Sequence, residues 1–296
     1  MCVIWGIPYL LIRISVRELS PASLVLARTV VAALVLLPLA LARGEVRAVL
    51  LRWRWVLVFA IIEIAVPWVL LSSAERRISS SLAGLLIAAV PLVGVVIAIS
   101  TSARERFGLA NAAGLALGLV GVGAIVGLDL GGTSARALVE MAFVAICYAV
   151  GPAILTRYLS GLPMLGVISV SLAIAALVYV PIAAFSFPAH VPSAGVLASV
   201  ATLAVVCTAL AFVLFFALIA EAGPVRATII TYVNPAVALT LGVLLLHEPF
   251  TVGAGVGFAL ILAGSFLSTR RRPVARRETA RAALERESPA ARVATP

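Results

Sequence analysis

Apolar runs of about twenty residues follow one another along the chain, parted only by short polar stretches. A helix that crosses a bilayer needs about 20 mainly apolar residues. Cutting at arginine clusters and Pro/Gly breaks gives ten such segments: 1–16, 22–42, 55–72, 79–101, 109–127, 137–156, 164–187, 195–219, 227–246 and 251–268. Of the 296 residues 63% are hydrophobic and 11% charged, with a mean hydropathy of +1.20. A soluble domain is about half apolar and about a quarter charged, so too few charges are present to cover a water-facing surface. The chain is expected to be a polytopic membrane protein. Its runs are unbroken Leu, Ala, Val and Ile rather than apolar–polar alternation, which favours helices over a β-barrel.

The arginines orient these segments. All 22 basic residues are Arg, and the net charge is +10. With the N-terminus in the cytoplasm, sixteen arginines fall inside: Arg43, Arg47, Arg52, Arg54, Arg104, Arg106, Arg157, Arg226 and eight in the tail. Only Arg13, Arg17, Arg76, Arg77 and Arg136 fall outside, while Arg28 lies within a span. The positive-inside rule therefore predicts that both termini are cytoplasmic. The charge reads as a topology signal, and no nucleic-acid partner is expected. The tail, 270–296, has lost its apolar content and is expected to be disordered or a short surface helix. It is solvated, or it touches anionic lipid head groups. Cys2, Cys147 and Cys207 lie in apolar runs with no CxxC, so neither a disulfide framework, a metal site nor a cofactor is expected. The first segment has no basic leader before it, and no cleavable signal peptide is expected.

The chain repeats itself. Pro91 matches Pro235, Pro8 matches Pro152 and Arg13 matches Arg157 at a shift of 144. Glu105 with Glu248, Phe107 with Phe250, Gly114 with Gly257, Gly121 with Gly264 and Pro38 with Pro181 match at 143, and Pro21 with Pro163 at 142. The expected organisation is a five-helix unit at 1–128, a second at 137–269, and the tail. Five is odd, so the second copy enters the membrane from the opposite side. Inverted repeats place a solute site near the midplane between the copies and allow two conformations open to opposite sides. Shifting the sixth segment, 137–156, back by 144 gives −7 to 12. The first helix is thus expected to lack its opening turns, with the native start upstream of Met1.

Three features resemble the EamA-type repeat of the drug/metabolite transporter superfamily. One is "IWGIPYLLIR", a Trp-Gly followed by a basic residue. Another is the Ser/Ala-rich fourth and ninth segments bearing Pro91 and Pro235. The third is the short loops with Glu105 and Glu248 that lead into Gly-rich fifth and tenth segments. The resemblance covers about 1–268. It implies an all-α membrane protein of ten transmembrane helices in two inverted five-helix repeats around a central cavity, in the bacterial cytoplasmic membrane. It also implies secondary transport of a small metabolite, with export of an amino acid or related amphiphile as the expected direction and class.

Within the spans, Glu63 in "FAIIEIAVPWVLL" stands out. An ionisable group at the bilayer centre is expensive and faces the bundle interior. Three roles are open to it: proton coupling, an anchor for a substrate amine, or a structural acid bonded to a neighbouring helix. Position 207, its counterpart, is Cys. Pro67 removes the backbone bond to the Glu63 carbonyl and is expected to kink the helix; with Trp68 it would shape a gate. Arg28 either pairs with Glu63 or binds a carboxylate. Tyr232 and Asn234, in "TIITYVNP", are expected in the cavity because their polar groups need partners in lipid. Tyr9 and Tyr148 add aromatic walls, and Trp5 is a wall or an interface anchor. Pro91 and Pro235 are further candidate kinks. Ser79, Ser80 and Ser81 are expected to let helices approach closely. Glu105 and Glu248 read as loop or cap residues, and His190 and His247 as loop histidines.

No HExxH, no nucleophile beside a base and no Asp-rich metal motif points to an enzyme, and no P-loop is present to drive transport by ATP. A membrane channel or a lipid scramblase is the main alternative to a carrier, with a membrane-embedded enzyme after it. Oligomeric state carries no sequence signal.

Overall fold

Serine hydroxyls start three of the helices. Ser20, Ser79 and Ser193 accept the backbone N–H of Ser23, Leu82 and Val196 at 3.1, 3.1 and 3.4 Å. Each satisfies an otherwise orphaned donor of a first turn. The computed structural model describes residues 1–101, 109–128, 134–188, 190–222 and 230–269, and every regular element among them is helical. In chain order these are α1 (Cys2–Ser15), α2 (Pro21–Ala42), the short α3 (Glu45–Leu50), α4 (Trp53–Ala74), α5 (Ser80–Ile87) and α6 (Val90–Thr101). They continue with α7 (Leu109–Leu128), α8 (Ala135–Tyr158), α9 (Met164–Ala184), α10 (Ala194–Glu221), α11 (Ile230–Leu246) and α12 (Val252–Thr269).

Among the described residues six stretches are long and apolar enough to cross a membrane: α2, α4, Ser80–Ile97, α8, α9 and α10. Four shorter apolar helices, Cys2–Ser15, Leu109–Ile125, Val233–Leu246 and Val252–Ser268, occupy the other candidate runs. The chain is thus an all-helical, multi-pass membrane protein.

Two of the long helices contain a wide, π-type turn. One covers Ala60–Ala65 in α4 and the other Val205–Leu210 in α10, 145 residues further on. In α4 this replaces the expected simple kink. Pro67 stands two residues beyond the wide turn, in the first turn of the α-helix that follows, and the Ala65 carbonyl accepts the Tyr179 hydroxyl at 2.9 Å. The expected helix over 79–101 is likewise broken. It stops at Ile87, turns at Ala88–Ala89 and restarts at Val90, so Pro91 falls in a first turn, where its missing N–H costs nothing. Pro235 alone of the three lies inside a continuous helix.

The helices pair across the two halves of the chain. α2 packs on α9, α7 on α12, α5 on α11, α1 on both α11 and α10, and α8 on α4 and α6. The α7–α12 contact is built on glycine. Gly114 faces Gly264 and Ser268, and Gly121 faces Gly257 and Ile261; Cβ atoms there would lie 2.8 Å from the Gly264 carbonyl and 2.7 Å from the Gly257 carbonyl. Small residues let helix backbones close to this distance. The shift of 143 that matches Gly114 to Gly257 and Gly121 to Gly264 in sequence turns one of these contacts into the other.

Carboxylates close the helix ends. Glu45 accepts the Gly166 N–H of α9 at 2.8 Å, and Glu18 accepts the Ser193 N–H and hydroxyl, both at 2.6 Å. Glu248 accepts the N–H groups of Ser80 and Ser81 at 2.8 and 2.9 Å and the Ser81 hydroxyl at 2.5 Å. An anion at a helix N-terminus meets free donors and the positive end of the helix dipole. Of the serines expected only to ease close packing, Ser80 and Ser81 therefore also bind Glu248 and Ser79 caps Leu82, while Glu248 is the cap it was expected to be. Glu105 lies outside the described residues.

Candidate functional site

The buried polar groups gather around Arg28. Its guanidinium lies 3.6 Å from the centre of the Trp68 ring, and its Nε donates to the Thr208 hydroxyl at 2.9 Å. Arg28 is only 8% exposed, Trp68 6% and Thr208 not at all. A desolvated charge persists only when its donors and its field are met. Here a π face, worth about 2 kcal/mol or more when desolvated, and a hydroxyl meet it. The wide turn in α10 positions that hydroxyl: Thr208 sits inside it and donates in turn to the Leu203 carbonyl, five residues back, at 2.7 Å.

Glu63 lies in the other wide turn. Its side chain packs on Gly151 of α8, where any Cβ would collide with the carboxylate. Oε2 is buried and has no hydrogen-bond partner among the described residues, and no ion pair is made to Arg28. The expected pairing of Arg28 with Glu63 is therefore absent, because Thr208 and Trp68 hold the guanidinium. By the wide-turn offset of 145, Glu63 corresponds to Thr208, the residue that binds the cation, and not to Cys207.

Two tyrosines lie near these charges. Tyr148 lies within electrostatic reach of both Glu63 and Arg28 and is approached by the Trp68 indole. Tyr9, 7% exposed, is within reach of Arg28, Tyr148 and Glu75. Tyr148 and Tyr9 thus link Glu63, Arg28 and Glu75 into one connected set of interacting polar groups. Asn234 is buried on α11, where its backbone carbonyl meets Gly6 of α1. Tyr232 belongs to α11, but its side chain lies outside the described residues. Trp5 packs edge-on to Phe212 and beside Phe215, so it is a wall between helices.

Two acids were passed over by the sequence reading. Glu75 is fully buried just past the end of α4, with neither carboxylate oxygen hydrogen-bonded, while Arg13 donates to its backbone carbonyl. Burial holds its carboxyl well above the usual range, against the pull of Arg13. Its setting in "SSAERR" had disguised it as a loop residue. Glu140, near the start of α8, accepts Ser73 at 2.9 Å and Arg136 at 3.0 Å and faces Arg77 at 3.5 Å. The last contact lacks hydrogen-bond geometry, since the Glu140 Oε2 has no bonded partner. Glu140 ties α8 to the end of α4.

This arrangement offers a fixed cation able to hold a carboxylate, a carboxylate whose buried Oε2 is unbonded among the described residues and can take a proton or an ammonium, and a phenol, Tyr148, near both. The sequence profile of the EamA-like transporter family matches residues 1–127 and 136–270. An uncharacterised transporter of Archaeoglobus fulgidus is 26% identical over 285 residues, which span 90% of this chain and 95% of the relative. A solved crystal structure, 22% identical, superposes with a TM-score of 0.66 over 90% of this chain and 93% of its own, a likeness of fold. With its long apolar helices and with profile matches over nearly all of its described length, the chain belongs to the EamA-like transporter family.

Proposed function

We propose that the protein is a secondary transporter that exports a small zwitterionic metabolite of the amino-acid class by alternating access, with Glu63 as the coupling or amine-binding group. The observation that carries this is the Glu63 carboxylate, held mid-helix against Gly151 with its buried Oε2 unbonded among the described residues. An intramembrane acid without a structural partner is a functional group by default. Arg28 is the counter-site for a substrate carboxylate, Trp68, Tyr9 and Tyr148 line the path, and Tyr232 and Asn234 complete the cavity. Export and a location in the bacterial cytoplasmic membrane rest on the family resemblance.

The proposed architecture is ten spans in two inverted repeats, 1–128 and 137–269, around a central cavity, with both termini cytoplasmic. Its support is the reciprocity of the contacts. Gly114–Gly264 and Gly121–Gly257 interchange under one shift, and the wide turn of α4 packs on α9 as that of α10 packs on α2.

Flux through the purified protein in proteoliposomes tests the reading. Amino acids, nucleosides and cationic drugs are loaded with and without a pH gradient, for wild type and Glu63→Gln. Saturable flux of one class, driven by the gradient and lost in the variant, is expected. Equal flux in both returns Glu63 to a structural role, and unsaturable leak in either direction favours a channel or scramblase.

A further inference from the structure

The ends of α4 and α8 that lie together carry three arginines and no acid. Arg52 donates to the Tyr158 carbonyl at 2.6 Å, which joins the start of α4 to the last residue of α8. The Trp55 and Tyr158 rings stack at 3.5 Å with an interplanar angle of 5°. Arg54 lies 5.6 Å from the centre of the Trp53 ring, and Arg157 lies 5.4 Å from that of Tyr158. These residues and Leu51 line an open cleft of about 540 Å³. Among the described residues no carboxylate lines it. The ion pairs of Glu140 with Arg77 and Arg136 sit at the opposite ends of the same two helices.

We infer that this cleft is a binding site for the phosphate of an anionic glycerophospholipid from the surrounding bilayer. Three guanidinium groups in one cleft supply forked donors that fit phosphate oxygens. The cleft lies where two spans end, at the depth where Trp and Tyr side chains favour the interface. Basic clefts between such helix ends take acidic lipid head groups. Beside the arginines, Leu51 is 82% exposed and Trp53 54%. This apolar surface suits an acyl chain, and a soluble phosphate would leave it bare. The site is separate from the polar groups around Arg28 and stands whatever solute is carried.

The test is a binding titration of the full-length protein in neutral detergent, read by tryptophan fluorescence with brominated-acyl phosphatidylglycerol or phosphatidylcholine as quencher. Saturable quenching by phosphatidylglycerol and none by phosphatidylcholine is expected. Each of Arg52→Gln, Arg54→Gln and Arg157→Gln should weaken it about fivefold. Arg54→Lys keeps the charge and should lose less than Arg54→Gln. Arg17→Gln and Arg76→Gln, exposed arginines elsewhere, should leave it unchanged. Glycerol 3-phosphate is the competitor that identifies the source. Competition at the concentrations at which phosphatidylglycerol binds would make the ligand a soluble phosphate and overturn the lipid assignment. Equal quenching by the two lipids, or full quenching in the triple variant, would overturn the site.

Discussion

Arg28 and Thr208 stand 180 residues apart in the sequence and are joined by one hydrogen bond of 2.9 Å, wholly shielded from solvent. The bond fastens α2 to the wide turn of α10. Thr208→Val keeps the shape and removes the acceptor. A hydrogen bond to a charged group is worth about 1.5–3 kcal/mol, and Thr208→Val should lose about that much in detergent-solubilised thermal unfolding, with Thr208→Ser close to wild type. An unchanged Tm in Thr208→Val would mean that Trp68 alone satisfies the cation.

Gly151 leaves room for the Glu63 carboxylate and for nothing else. Gly151→Ala should destabilise the protein by about 1–3 kcal/mol, as overpacking does. Combined with Glu63→Ser, the penalty should fall well short of the sum of the single changes. A double-mutant cycle reads this coupling directly, and strict additivity would show that the two residues do not share the space.

The Glu248 cap is worth more than any one of its bonds. Glu248→Ala strands the N–H groups of Ser80 and Ser81, and losing such a cap costs about 0.5–2 kcal/mol. Faster amide exchange is expected across Ser80–Ile87. Ser81→Ala, which keeps the backbone donors engaged, should have the smaller effect. Exchange rates that match wild type would show that the helix end is held by something else.

Glu18 brings pH into the same logic. The Ser193 hydroxyl and N–H hold its carboxyl below the ordinary value of 4.5. A group with a lowered pKa adds stability above its unfolded value and loses it as pH falls through its folded value. The Tm gap between wild type and Glu18→Gln should be full at neutral pH, begin to close below 4.5 and vanish at more acidic pH. A gap that persists into strong acid would show that the carboxylate's charge is not what Ser193 binds.

Helix positions were legible because lipid leaves so few alternatives. Trp53–Ala74 was read as 55–72 and Met164–Ala184 as 164–187. The wide turns were not legible. An extra residue in a turn leaves the apolar character of a run unchanged, so nothing in "FAIIEIAVP" marks it. The site was also misaligned by one position: Glu63 was matched to Cys207, when the offset between the two wide turns matches it to Thr208. The buried state of Arg28 and Glu63 was legible from charge in an apolar run, but their separation was not, since it depends on a hydroxyl from the far half of the chain. Glu75 was hidden by its neighbours Arg76 and Arg77, whose exposure says nothing about the side chain beside them.

The wide turn at Ala60–Ala65 holds one residue more than an α turn of the same rise. Passing that surplus along by one position exchanges a few backbone hydrogen bonds and rotates the residue it crosses by about 100°, the α-helical step. Neither end of α4 has to travel. Where that surplus residue sits therefore decides which wall of the bundle Glu63 faces, and at Ala60–Ala65 it aims the carboxylate at Gly151 of α8.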